Sequence, residues 1–174
     1  MKEFEKFKTT IKIISYDKNN CEYMSNSQHE AFNLDLAKDD FMQDLSKNNI
    51  KCQHSLCSND GIFKKNNEVY FIEFKNGKIF DNKNKIKNNC KKIIYYKILH
   101  SIFIFLSYTS RYTKDKIHYI LVYNKEKNSD RVISQKLNNY ANNKKYILDL
   151  SFFERYFKTI NCYDKNDFEK FINL

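Results

Sequence analysis

Apolar and polar positions change period several times along this chain, and each change predicts an element. Over residues 4–15 the apolar positions Ile11, Ile13 and Ile14 predict a first strand. Turn chemistry follows at 17–20 and 25–27. Ser27, with Glu30 three residues on, has capping-box spacing. It predicts a helix to about residue 45, with Ala31, Leu34, Ala37, Phe41 and Leu45 as its apolar stripe. Asn48-Asn49 breaks that helix, and residues 50–57 alternate like a strand. Residues 59–76 predict a β-hairpin. Asn66-Asn67 suits a type I′ turn because Asn tolerates positive φ, and 68–75 is rich in aromatic and β-branched residues.

Beyond Gly77 the pattern weakens over 78–89, which predicts a loop leading into a helix. Residues 86–110 predict one long helix, with Ile86, Cys90, Ile93, Ile94, Ile98, Ile102, Phe105 and Leu106 on a wide apolar face. Residues 117–123 are continuously apolar, as in a strand covered on both faces. Helices are expected at 131–141 and 148–159, an extended piece at 160–163, and a closing helix at 167–173 capped by Asp164. Apolar strands between amphipathic helices predict an α+β domain spanning 1–174, with a central mixed β-sheet flanked by helices and extra helices at the C-terminus.

The hairpin carries candidate chemistry. If Lys65 pairs with Glu68, Asp60 falls opposite Glu73, and opposed residues share a face. Lys75, two residues on, shares it too. Like charges placed opposite each other are destabilising unless something positive lies between them. A hard divalent cation with oxygen ligands suits that place. The alternative is surface salt-bridge decoration. Against it, Glu73 and Lys75 are embedded among Val69, Tyr70, Phe71, Ile72 and Phe74, where a lone charge is costly. Gly61, directly after Asp60, signals a bulge or the close approach of another backbone, which could bring a phosphate or metal near.

Asp60, a spacer, then Glu73-Phe74-Lys75 at the end of an apolar strand resembles the D…(D/E)xK core of the PD-(D/E)xK phosphodiesterase superfamily, the restriction-endonuclease-like enzymes. The resemblance spans residues 27–123. Asn59 stands where the family pattern has proline, and the chain contains no proline at all. The resemblance implies an αβββαβ core and Mg²⁺- or Mn²⁺-dependent hydrolysis of DNA or RNA. It implies that Asp60, Glu73 and Lys75 are catalytic and that Asp60 and Glu73 bind the metal. The Phe74 carbonyl and a helix glutamate, Glu30, would join them. Glu30 has a simple capping role as its alternative. His29 is the counterpart of a histidine that binds a second metal in cap-snatching endonucleases of the same superfamily, against an uninvolved histidine. Lys92 and Tyr96 loosely match a family helix motif of a polar residue followed four later by Tyr. A core-facing tyrosine is the alternative there.

Charge changes the picture in one respect. The formal net charge of +10 favours a polyanionic partner, although a Lys- and Asn-rich composition also follows from an AT-rich genome. Lys78, Lys91, Lys92 and Tyr96 are the candidate nucleic-acid contacts. For the basic run Lys78, Lys83, Lys85 and Lys87 the alternative is a solvated face. Five cysteines, without Cys-x-x-Cys spacing, point to reduced thiols and a cytoplasmic setting. The longest apolar run, 98–108, is too short for a membrane span, and the N-terminus lacks a signal-peptide core. The partners expected are nucleic acid and no membrane, with a homodimer as a further option. The rival function is a non-catalytic nucleic-acid- or protein-binding domain on the same fold. A nuclease toxin or defence effector would use the same chemistry in another setting.

Overall fold

The computed structural model describes residues 2–50, 55–80, 87–109, 113–128 and 150–173. Its centre is a six-stranded sheet in the order β1-β4-β5-β6-β7-β8. These strands are β1 (Lys8–Thr10), β4 (Glu30–Asn33), β5 (Gly61–Lys65), β6 (Glu68–Lys75), β7 (Ile117–Tyr123) and β8 (Thr159–Asp164). Pairing is antiparallel from β1 to β6 and parallel for β6–β7 and β7–β8. The parallel β6–β7 pair needs a long crossover, and helix α3 (Asn88–Tyr108) lies within it. A separate hairpin joins β2 (Tyr16–Asp17) to β3 (Glu22–Tyr23). The α+β class with a mixed sheet flanked by helices is the one the periodicity predicts.

Side-chain parity sorts the core into two layers. Phe32, Ile62, Phe71, Tyr119 and Leu121 face α3 and α2 (Leu34–Lys47). Ala31, Phe63, Ile72, Ile120 and Val122 face α1 (Ile11–Ile14) and α4 (Lys165–Asn173). All seven residues of β7 are buried, as expected of a strand covered on both sides. Asp164 caps α4 by accepting the Asp167 N–H at 2.9 Å.

Several predicted elements differ. The first strand, 4–15, is a 3₁₀ turn (Lys2–Phe7), then β1, then α1. Phe4 and Phe7, and again Ile11 and Ile14, are three apart, so each pair reaches the core from one helical turn, while Ile13 faces solvent. The helix predicted from Ser27 begins only at Leu34 and is capped by Asn33, whose Oδ1 accepts the Leu36 N–H at 3.0 Å. Residues 30–33 are a strand because β1 and β5 flank them; sheet pairing overrides a pattern that also fits a helix. The third strand of the core thus comes from before α2. Of the strand predicted at 50–57, residues 51–54 lie outside the described residues and 55–57 have no regular structure. The helix predicted at 148–159 is a 3₁₀ stretch, Leu150–Arg155, leading into β8. The helix predicted at 131–141 lies outside the described residues, as do His54, Lys83 and Lys85.

Among the described residues no helix is long and apolar enough to cross a membrane. The four cysteines among them, Cys21, Cys57, Cys90 and Cys162, are free.

Candidate functional site

The hairpin register holds as read from the sequence. Asn66 and Asn67 have φ of 51° and 62°, the left-handed pair of a type I′ turn. Lys65 pairs with Glu68 and Gly61 with Ile72. Asp60 stands one residue before the ladder, opposite Glu73, and its Oδ2 accepts the Phe74 N–H at 2.6 Å. Gly61 lies under a close approach, but of protein backbone. A Cβ there would sit 2.8 Å from the Phe32 carbonyl oxygen and 2.5 Å from the Ile14 side chain.

Parity turns Asp60, Glu73 and Lys75 toward α3. Glu73 is fully buried; the side chains of Asp60 and Lys75 are 22% and 24% exposed. Lys75 Nζ lies 2.8 Å from Glu73 Oε1. The positive group between the two carboxylates is Lys97. Its ammonium donates to Glu73 Oε1 and Oε2 at 2.8 and 2.9 Å and stands 3.4 Å from Asp60 Oδ1. Lys97 belongs to the sheet-facing stripe of α3, where Ile94, Ile98 and Ser101 are fully buried. A lysine at i+3 from Ile94, beside Ile98, was the sequence signal for it.

Electrostatics follow from this packing. Burial, then the neighbouring Glu73 charge, push the Asp60 carboxyl up to about 7, opposed by Lys97. Burial works against the Lys97 charge, but Glu73 and Asp60 outweigh it and raise its pKa. For Lys75 burial is likewise outweighed, chiefly by Glu73, and its pKa also rises.

The segment before Asp60 is held by helix side chains. Asn59 N–H donates to Ser101 Oγ at 2.7 Å, and Cys57 N–H donates to His100 Nδ1 at 3.1 Å. Ser58 Oγ donates to Asp35 Oδ1 at 2.5 Å. Sequence reasoning missed Asp35, Lys97, His100 and Ser101. The Asn59 side chain is fully buried, and neither of its polar atoms has a hydrogen-bond partner; the buried Tyr119 hydroxyl also lacks one.

Other expected site residues lie elsewhere. Glu30 is on β4, level with Lys64, and its half-exposed carboxylate pairs with Lys8 Nζ at 2.6 Å. Three residues separate it from the Gly61 level, ~10 Å along a strand. The acid that α2 brings to the site is Asp35. His29 Nε2 contacts the Lys64 carbonyl at 2.9 Å, away from Glu73. Phe74 sits beside Val122 in the β6–β7 ladder, with its ring against Phe168 on the opposite face. Lys78 and Lys92 are exposed, and Lys91 lies over the Tyr95 ring at 5.7 Å. Tyr96 is exposed and stacks on His100 at 6.0 Å, so it is not core-facing.

The donors suit a hard cation in type and direction, since Asp60 Oδ1 and both Glu73 oxygens turn toward one point. Among the described residues no group of three or more His, Cys, Asp or Glu side chains is placed to hold a metal ion. A divalent ion here would therefore keep several waters, as Mg²⁺ commonly does, and would take the place of the Lys97 ammonium. No protein-family model, curated protein or solved structure matches this chain.

Proposed function

We propose that this protein is a metal-dependent nuclease that hydrolyses nucleic-acid phosphodiester bonds, in line with its resemblance to the PD-(D/E)xK superfamily. The observation that carries the proposal is the convergence of the Asp60 and Glu73 carboxylates on one point, with Lys75 2.8 Å from Glu73. Asp60 and Glu73 would hold Mg²⁺ or Mn²⁺. The ion supplies polarisation of the phosphate and acidification of a bound water. Lys75 orients the attacking water or neutralises charge gathering on the phosphorane. A lysine suits this position because it is a compact cation whose proton affinity responds to its surroundings. Lys97, 2.8 Å from Glu73 Oε1, would supply a second ammonium for the phosphate.

The second reading is a non-catalytic binding domain. It is favoured by Lys97, which already neutralises the two carboxylates without a metal. One experiment separates them: incubation of the full chain with single- and double-stranded DNA and RNA, in Mg²⁺, Mn²⁺ or chelator. The nuclease reading expects metal-dependent products that Glu73→Gln and Lys75→Ala do not form. Equal digestion by Glu73→Gln would remove the catalytic assignment, and no product in any metal would favour the binder.

A further inference from the structure

We propose that the cleft between the β2–β3 hairpin and the end of β6 receives one unpaired nucleotide, its base against Tyr16, so that the substrate is single-stranded or locally unwound. This rests on the nuclease reading and names the substrate class for it. The cleft has a volume of about 290 Å³; Ile14, Met24 and Phe74 give it an apolar side, and Ser15, Asp17 and Asn76, with Asp60 and Lys75, make the rest of its wall polar. It thus opens at the sheet end that carries Asp60 and Lys75, whose side chains turn toward the α3 face. The volume is near the lower end of the ~300–1,000 Å³ typical of small-molecule sites. That is room for a base and its sugar. A base stacked inside a duplex cannot enter such a cleft without leaving its stack.

The lip of the cleft has the composition of a stacking platform. Tyr16 and Tyr23 are 40% and 46% exposed, and their rings pack at 4.8 Å. Lys12 Nζ lies 5.1 Å from the Tyr23 ring centre. Lys18 and Asn19 complete the rim. An aromatic face with nearby cations binds bases of any sequence, because every base has a π-face and every nucleotide a phosphate.

The lip is also fixed relative to the candidate chemistry. Asn76, directly after Lys75, donates through Nδ2 to Asp17 Oδ2 at 2.8 Å and to the Glu22 carboxylate. Asn124 Nδ2 and Lys127 Nζ donate to Asn76 Oδ1 at 2.7 and 3.2 Å. Two carboxylates of a hairpin outside the main sheet are thereby tied to the residue beside Lys75.

The test uses the full chain in chelator, where no cleavage occurs, and oligonucleotides of DNA and of RNA carrying one internal 2-aminopurine. Single strands should bind at least about tenfold more tightly than the matching duplex, with the fluorophore quenched by ring stacking. Tyr16→Ala should abolish the quench and weaken single-strand binding about tenfold, whereas Tyr16→Phe should retain both. Lys18→Glu, on the rim and outside the ring pair, should weaken binding without removing the quench. Equal affinity for duplex and single strand with an unquenched fluorophore overturns the cleft assignment and leaves the nuclease reading standing. Absence of binding to every nucleic acid, in chelator and in non-catalytic Ca²⁺ alike, overturns both.

Discussion

Lys97 donates to both carboxylate oxygens of Glu73, at 2.8 and 2.9 Å. That pair explains how a hairpin tolerates two opposed acids in a largely buried setting. A divalent cation held by these carboxylates would have to displace the ammonium. A buried carboxylate that loses its partner typically destabilises a fold by about 3–5 kcal/mol. Lys97→Met should therefore lower the chelated protein's stability by roughly that amount. The same variant should gain more in melting temperature from Mg²⁺ or Mn²⁺ than the wild type does, since the ion no longer displaces a charge. Thermal melts across a metal titration check both. A melting temperature unmoved by metal in wild type and variant alike would mean that no ion binds between the carboxylates.

Asp60 gives a pH signature in the absence of metal. Burial and Glu73 lift its carboxyl to about 7, well above its unfolded value of 3.8. The folded state then holds the proton more tightly than the unfolded chain, so this group's contribution to stability falls as pH rises from about 4 to about 7 and is level above that. Asp60→Asn removes the titration and can still accept from the Phe74 N–H. Relative to wild type it should gain roughly 1–3 kcal/mol between pH 4 and pH 8, a discounted share of the full shift. Urea denaturation in chelator at both pH values measures the difference. A gap between the two proteins that does not change with pH would show that Asp60 titrates normally.

How much of this was legible depends on the range of the forces involved. The hairpin register is local: Asn66-Asn67 set the turn, and counting from it placed Asp60, Glu73 and Lys75 on one face. Lys97 sits in a buried stripe whose residue spacing was visible, but which way that stripe faces the hairpin is a tertiary fact. Ala31, Leu34, Ala37 and Phe41 fit helical spacing, which predicts a helix for Glu30. The structure instead uses Ala31 and Phe32 to fill both faces of a strand held by β1 and β5. Long-range strand pairing decided that contest, and no local signal reports it. Of the alternation at 50–57, residues 51–54 lie outside the described residues, and 55–57 join no strand.

Gly61 couples the site to its scaffold. An added methyl group would meet the Ile14 side-chain tip at 2.5 Å and the Phe32 carbonyl oxygen at 2.8 Å. The side chain can turn away, but the carbonyl is fixed in the β4–β5 pair. Gly61→Ala should destabilise the fold by about 1–3 kcal/mol, as overpacking does. It should also displace Asp60, its neighbour, and so reduce any metal-induced rise in melting temperature. Chemical denaturation and a metal titration of the same variant check the two effects together. A Gly61→Ala protein as stable as wild type would mean that β4 and β5 part readily.

Tyr119 supplies the opposite kind of test, a change expected to help. It lies on β7 beside Phe71, fully buried, and its hydroxyl has no hydrogen-bond partner. Burial first, then the charges of Glu73 and Asp60, hold its pKa well above the ordinary tyrosine value. The hydroxyl therefore stays protonated at neutral pH and brings no charge to the site. An unsatisfied buried polar group carries a desolvation penalty of about 1–3 kcal/mol. Tyr119→Phe should accordingly be neutral or stabilising by up to about 1 kcal/mol, while leaving ring packing against Phe157 in place. Tyr119→Leu, which also removes the ring, should destabilise. If Tyr119→Phe instead lost stability, the hydroxyl must be bonded to a buried water beneath Glu73, and the polar floor of the site would extend one layer deeper than the two carboxylates.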